Sequence, residues 1–440
     1  MQNTKKISQF KSEIVEHSFT GKELTAYAGL SALMRQMTSR FKLGEALNAL
    51  FPSVMHNATK FTTSQTMMAV VLASLAGIHR LSRIATFTHD PLVKRLLNLK
   101  KGLNKDVIGK RFKDLGQAGA IHLHEYGLGL ARNWLKESQL DSLTLDADST
   151  VKTVYGKQKG AAKGYNSQKK GALSYHPLLV FCSEMKLALN SWFRTGSSYT
   201  SNGICDFLKE TAASFPATIS SVFFRADSGF FSGALFVLLE ELQWSYLIKV
   251  KMKGLKKLLE TQVWTLNATD EGMAWCEFEY KAKSWEKARI FKAIRTLKGY
   301  KAAQYFGETE WVPEYNYACY CTTLAGTAVQ VHEVYKQRAT SETWIEQIKT
   351  HLLAGATLTD DFHANDILWQ LSVLAYNLSL MLRTNTKNVW REEHATFRDW
   401  FIKVPALVVR GGRRSIMRVY ECYLFKKRWE NFVGQLLSPA

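Results

Sequence analysis

Residues 142–151 read SLTLDADSTV. Leu143, Leu145 and Ala147 alternate with polar residues, which is the period of a strand with one buried face. Asp146 and Asp148 are two residues apart, so a strand points both carboxylates to the same side. Acids are disfavoured inside strands. If buried there, they need a partner, a metal or solvent. The plain alternative is a strand end with a solvated aspartate.

The pattern continues downstream. "YHPLLVF" (175–181) and "LALNSWFR" (187–194) read as two further strands around the turn "CSEMK". A helical segment (202–215), a strand (221–227), a helix (233–242) and a strand (245–252) follow. Three antiparallel strands and then alternating helix and strand is the order of an RNase H-like α/β domain, a mixed sheet with flanking helices. Upstream, residues 1–140 read as a helical N-terminal DNA-binding region, with Ala-, Leu- and Met-rich stretches from Gly21 to Phe41, Thr66 to Ala85 and Ala118 to Gln139. "KRFKDLGQ" (110–117) fits a groove-reading helix there, without defining a helix-turn-helix. Residues 253–325 return to strand composition and read as an inserted β subdomain. The insertion divides the core into 141–252 and 326–382, and 383–440 follows as a basic C-terminal region. The last 60 residues carry 12 Lys and Arg against five acids.

Composition narrows the partner. The chain has 440 residues and 58 Lys plus Arg against 38 Asp plus Glu, a formal charge of +20. A basic folded chain implies a polyanion, nucleic acid ahead of a membrane surface. The longest apolar run, "MMAVVLASLAGI" (67–78), is shorter than the roughly 18 residues of a span and suits a buried helix. Six cysteines exclude a disulfide scaffold and fit a soluble, reducing compartment. No GxxxxGK[ST] occurs, which argues against a P-loop ATPase or helicase. The pairs Cys319/Cys321 and His122/His124 lack the second pair that a zinc site needs and read as structural.

Two further segments carry chemistry. In "FFRADSGFF" (223–231), Asp227 follows a buried strand, at the strand end where open α/β sheets place their crevices. The alternative is an aspartate capping the next helix. In "YKQRATSETWIEQIK" (335–349), a helix run at about 100° per residue gathers Tyr335, Arg338, Glu342 and Lys349 into a stripe about 60° wide. Trp344, Ile345, Ile348 and Leu352 take a separate apolar stripe. The plain alternative is a solvated helix with an i,i+4 pair between Arg338 and Glu342. If Thr340 or Ser341 caps the helix, only Glu342 and Lys349 are sure to share a face. Glu346 competes for any role given to Glu342.

The spacing Tyr335, two residues, Arg338, three residues, Glu342, six residues, Lys349 resembles the Y-(2)-R-(3)-E-(6)-K signature of a group of bacterial insertion-sequence transposases of the DDE type. "LDADST" and "FRADSGFF" are similar to the segments bearing that family's first two aspartates. "GKQKGAAKGYNSQKKG" (156–171) resembles the same group. The likeness spans roughly residues 20–420. It implies that Asp148, Asp227 and Glu342 form a catalytic and metal-binding triad for two Mg²⁺ ions, with Mn²⁺ possible. Asp148 is preferred to Asp146 because Thr150 follows it closely. It implies that Tyr335, Arg338 and Lys349 contact DNA phosphates. The expected activity is cleavage at element ends and joining of the 3′-OH ends to target DNA. The expected partners are terminal inverted repeats and target duplex, bound as a homodimer, in a bacterial cytoplasm at the nucleoid.

The basic surface reads independently. Residues 151–200 hold eight Lys and Arg against Glu184 alone. Lys157, Lys159, Lys163, Lys169 and Lys170, in a segment expected to be flexible, suit a phosphate backbone. Arg225 is a further candidate contact beside Asp227, and "RGGRR" supplies Arg410, Arg413 and Arg414. The rival functions are a Mg²⁺-dependent nuclease without strand transfer and a catalytically inactive DNA-binding relative.

Overall fold

The computed structural model describes residues 17–52, 61–166, 169–267, 270–305, 308–384, 392–411 and 414–437. After a short strand, β1 (Leu24–Thr25), come helices α1 (Leu30–Ser39), α2 (Leu43–Leu50), α3 (Thr63–Leu75), α4 (Leu81–Phe87), α5 (Pro91–Leu96) and α6 (Lys105–Ser138). The apolar run falls largely in α3, which is buried nearly all round, as a helix with no polar face must be. Thr62 and Gln65 close its first turn as a reciprocal capping box. At 34 residues, α6 is the longest helix described and would span about 50 Å if straight. It bends at Gly116, whose φ of 54° and ψ of −148° suit a residue without Cβ.

The second layer is a nine-stranded mixed sheet. The chain enters it at β2 (Ser142–Ser149), then forms the short strands β3 (Lys152–Thr153), β4 (Ala162–Lys163) and β5 (Leu173–Tyr175) outside it. It returns through β6 (Leu178–Cys182) and β7 (Leu187–Trp192), crosses α7 (Ile204–Ala213) into β8 (Ser221–Ala226), and crosses α8 (Gly233–Glu241) into β9 (Ser245–Lys249). β2 pairs antiparallel with β6 and parallel with β8, and β8 pairs parallel with β9. This is the strand order expected from the sequence.

The sheet does not stop at β9. After α9 (Leu255–Glu260), the strands β10 (Thr265–Asn267), β11 (Asp270–Tyr280), β12 (Arg289–Tyr305) and β13 (Glu308–Thr322) continue it, because β13 pairs antiparallel with β9. The full order is β10-β11-β12-β13-β9-β8-β2-β6-β7. One sheet thus runs through the segments expected as core and as insertion.

The chain then forms α10 (Ala328–Lys336), α11 (Ala339–Glu346) and α12 (Phe362–Thr384). α12 is the central helix, packed on α3, α6 and β7. It also closes the open side of β7. Asn377 accepts from the Ala188 N–H at 3.1 Å and donates to the Ala188 carbonyl at 2.8 Å. Tyr376 Oη donates to the Lys186 carbonyl, and Gln370 to that of Ser191. An edge strand buried under a helix needs such partners.

The C-terminal region adds α13 (His394–Phe397), the hairpin β14 (Ala406–Gly411) and β15 (Arg414–Val419), and α14 (Lys426–Leu437). β14 pairs with β1, and α14 packs on α1. Among the described residues, no helix is long and apolar enough to cross a membrane. All six cysteines are free thiols.

Candidate functional site

The register of β2 on β8 builds the centre of the site. Asp146 pairs with Arg225, and Ala147 with Ala226. The next positions along the two parallel strands are Asp148 and Asp227. Register partners in a parallel pair share a face, about 4.8 Å apart. Asp146, Asp148, Arg225 and Asp227 therefore lie on one face at the C-terminal ends of neighbouring strands.

The two acids of β2 have different surroundings. Asp146 is fully buried and forms a two-pronged ion pair with Arg225, Nε to Oδ1 at 2.7 Å and Nη2 to Oδ2 at 2.8 Å. Arg225 also donates through Nη1 to the Val334 carbonyl at 3.1 Å and through Nη2 to Ser183 Oγ at 3.3 Å. It is only 2% exposed, so in this arrangement it ties β2, β8 and α10 together and does not face solvent. Asp148 lies further out. Its Oδ1 accepts from the Ser149 N–H at 2.8 Å and its Oδ2 is 3.1 Å from Arg338 Nη2. Burial pushes its carboxyl up to about 6; Arg338 opposes this, while Asp227 and Glu342 add to it.

Asp227 caps the turn it precedes, accepting from the Gly229 N–H at 2.9 Å. The sequence left capping and a ligand role open for this residue, and the cap uses only Oδ1.

The segment carrying Tyr335, Arg338, Glu342 and Lys349 is not one helix. α10 ends at Lys336, a turn covers Gln337 and Arg338, α11 ends at Glu346, and a π-helical turn takes Gln347–His351. Local side-chain bonds explain the break: Thr340 Oγ1 donates to the Gln337 carbonyl and Ser341 Oγ to that of Arg338. The turn brings Arg338 inward. It is 4% exposed, donates to the Ala147 carbonyl at 3.2 Å, and holds Nη1 3.8 Å from Glu342 Oε1. Its Nε is buried without a hydrogen-bond partner among the described residues. The Glu342 side chain is 69% exposed. Tyr335 packs against Tyr320 with the rings tilted by 44° and their centroids 4.7 Å apart, and burial pushes its hydroxyl up to about 12. The π-helical turn carries Lys349 to the Val151 carbonyl, Nζ to O 3.1 Å. Beside it, Lys152 is buried over the Phe193 ring at 5.6 Å; burial first, and then Lys349, pull its ammonium down to about 7.

The donor set has hard-oxygen chemistry suited to a divalent cation. The arrangement does not fit one. Among the described residues, no three His, Cys, Asp or Glu side chains gather closely enough to hold a metal. Arg338 takes up the Asp148 carboxylate instead.

Some neighbours were not read from the sequence. His176 Nε2 is 3.1 Å from Ser149 Oγ, which is 3.1 Å from Thr200 Oγ1, next to Asp148. Nδ1 of His176 is 2.7 Å from the Ser198 carbonyl, and burial favours the neutral ring. These contacts depend on strand register and a distant loop, for which the sequence carries no local signal.

The basic segment is more ordered than expected, because β3, β5 and β4 form a three-stranded sheet within it. Lys157, Lys159, Lys163, Lys169 and Lys170 are all exposed on it. Lys159 Nζ is 3.7 Å from Asp361, and Lys169 Nζ lies over the Tyr155 ring at 5.0 Å. Arg410 and Arg414 are exposed on the β14–β15 hairpin, Arg410 being 3.7 Å from Glu23. Arg413 lies outside the described residues. The sequence also gave no sign of a cleft of about 1130 Å³ between α4 and the first part of α6. Lys101, Lys105, Lys110 and Arg111 line it. His124, read as structural, pairs with Glu210 at 3.1 Å.

Comparison with known proteins supplies a family. Residues 7–438 match the model described as transposase DDE domain group 1. No curated protein matches the sequence. Among solved structures, the fold is similar to a piggyBac transposase synaptic complex with hairpin DNA, at 12% identity and TM-score 0.47, covering 86% of this chain and 81% of that one. Weaker likenesses are the Mos1 mariner paired end complex with Mn (10%, TM-score 0.18, 49% and 65% covered) and the Drosophila P element transposase strand transfer complex (13%, TM-score 0.22, 53% and 46% covered).

Proposed function

The chain belongs to the group 1 family of transposase DDE domains, and from that premise we propose that it cleaves phosphodiester bonds at the ends of a mobile element and joins the 3′-OH ends to target DNA. The observation that carries this reading is the register of β2 on β8, which runs to Ala147 and Ala226 and so brings Asp148 and Asp227 to two neighbouring parallel strand ends, with Arg338 3.1 Å from Asp148 and 3.8 Å from Glu342. The proposed acids are Asp148, Asp227 and Glu342. Asp146 is left out because Arg225 occupies both of its oxygens.

Proteins of this family generally use divalent metals, and Mg²⁺ or Mn²⁺ is the cation proposed here. The three carboxylates would have to draw together from where they stand to hold it. The protein's own contributions are positioning and charge. Arg338 suits a bidentate phosphate contact and Lys349 a point contact. The exposed lysines from Lys157 to Lys170, with Arg410 and Arg414, suit the duplex backbone, as do Lys101, Lys105 and Lys110 in the N-terminal cleft. Arg225 is proposed as a positioning residue, in place of the DNA contact expected from the sequence. The proposed partners are the element's inverted repeats and a target duplex, with two copies of the chain bringing two ends together.

The test is to supply duplex carrying the inverted repeats that flank the gene, Mg²⁺ and a target plasmid. Strand-transfer product supports the proposal, whereas cut ends that never join identify a nuclease. Glu342→Gln should abolish cleavage while duplex affinity stays within about threefold, since one exposed carboxylate contributes little to phosphate contacts. Undiminished cutting by that variant would move the role to Glu346 or another acid.

A further inference from the structure

Three tyrosines stand out of the basic segment into solvent. Tyr155, Tyr165 and Tyr199 are 83%, 65% and 70% exposed, whereas the neighbouring Tyr175 and Phe193 are buried. Strand geometry groups the first two. β3 and β4 both pair antiparallel with β5, one on either side, so they run in the same direction. Thr153 and Ala162 share the partner Ser174, and the Val154 N–H bonds the Leu173 carbonyl, level with Lys163. Tyr155 and Tyr165 therefore leave the same end of the sheet, on strands about 10 Å apart, two strand spacings. Asn166 Nδ2 ties the two ends by donating to Thr153 Oγ1 at 2.9 Å.

The third ring comes from an adjoining loop. Gly164 and Gly196 meet through bare backbone: a Cβ on Gly164 would lie 1.9 Å from the Gly196 carbonyl oxygen. Arg194 fixes the loop, donating through Nη1 to the Tyr199 and Asn202 carbonyls at 3.4 and 2.6 Å and through Nε to that of His176 at 2.9 Å. The residue after Tyr199 reaches the candidate site. Thr200 Oγ1 is 3.1 Å from Ser149 Oγ, beside Asp148. A Cβ on Gly229, in the turn that Asp227 caps, would lie 3.1 Å from the Thr200 methyl group. The loop thus presents Tyr199 where the basic sheet joins the two strand ends.

Charge and aromatic surface together name the ligand. Lys157, Lys163, Lys169 and Lys170 are exposed among the rings, and Glu184 is the one acid in residues 151–200. The lysines suit phosphates, but an intact duplex offers the rings nothing, because its bases stack on one another and present only their edges. An unpaired strand offers phosphates and open base faces at once. We propose that this surface binds unpaired DNA, with Tyr155, Tyr165 and Tyr199 each stacking on a base while the lysines follow the backbone toward Asp148 and Asp227. This rests on the reading of the basic segment as a DNA surface. Every base has such a face, so the contact is indifferent to sequence.

The experiment uses the full chain and two single strands of about 20 nucleotides with equal phosphate counts, oligo-dT and a fully abasic strand, titrated by fluorescence anisotropy. Wild type should bind oligo-dT at least about tenfold more tightly, since the abasic strand keeps the charge and loses the stacking. Tyr155→Ala, Tyr165→Ala and Tyr199→Ala should each weaken oligo-dT binding about fivefold, the scale of one lost stack, and leave the abasic strand unaffected. Tyr165→Phe and Tyr199→Phe keep the ring and should bind as wild type does. Equal affinity of wild type for the two strands would overturn the stacking and leave the phosphate role of the lysines standing. A preference for oligo-dT that persists in the triple alanine variant would overturn the assignment to these rings. Failure of either strand to bind, even at low salt, would overturn the reading of the basic segment as a DNA surface and the stacking with it.

Discussion

Asp146 and Asp148 share a strand face, yet one is locked into the core and the other meets the site. The sequence showed the shared face and left the choice between them to a resemblance; the partners that distinguish them come from other strands and helices. For Asp146 that partner is Arg225, which the sequence suggested as a DNA contact because a lone arginine beside an aspartate says nothing about which way it points. Removing one partner of a buried pair leaves a stranded charge and costs about 3–5 kcal/mol. Arg225→Met and Asp146→Leu should each lower the urea midpoint by that measure, and the double variant should recover most of the loss. If the single variants unfold at the wild-type midpoint, the pair is not the strut described. Lys152 gives a second prediction. Its ammonium is pulled down to about 7 in the fold, against an ordinary value near 10.5 in the unfolded chain. Between those values the unfolded chain binds the extra proton, so this group makes stability rise with pH from about 7 to about 10. Below about 7 the buried charge is carried at full cost. Thermal melts at pH 6 and pH 9 should therefore differ less in Lys152→Met than in wild type, with the variant the more stable at pH 6.

At the scale of elements, β2 and β6 to β9 and the helices between them were legible because their periods are clean, whereas the short strands β3 and β4 of the basic segment were not. The helix expected from Tyr335 to Lys349 was not legible as it stands. Apolar periodicity persists across Thr340 and Ser341, while their hydroxyls bond back to the Gln337 and Arg338 carbonyls and open a turn. Periodicity reports which side faces the core and is blind to such local bonds. The π-helical turn that redirects Lys349 is equally silent in the sequence. α12 makes the complementary point. Nothing in its sequence shows the role of Asn377, which is visible only with β7 lying beneath it. Asn377→Leu strands the N–H and carbonyl of Ala188 and should cost about 2–4 kcal/mol by chemical denaturation. A cost near zero would mean that water replaces the amide.

At the scale of the whole molecule, the charge of +20 is the property most directly tied to a partner. Duplex affinity should fall about 10³-fold or more between 50 and 200 mM salt, as binding through several phosphate contacts requires. Changing Lys157, Lys159, Lys163, Lys169 and Lys170 to Gln should flatten the log–log slope by about one for each lysine that touches a phosphate. A response already flat in wild type would remove DNA from the basic surface altogether. The sequence also marked where strand composition resumes after Lys253, but composition cannot say which strand of a later segment lies beside which earlier one. That pairing, β13 against β9 through Tyr320–Lys249, Cys321–Ile248 and Thr322–Leu247, bears on what can be taken away. A loop can be trimmed and the ends rejoined, but excising this segment would leave β9 with bare amides and carbonyls and invite aggregation. A minimal catalytic fragment, whether sought by an engineer or left by a deletion in a lineage, would therefore have to keep β13 or supply a substitute for it.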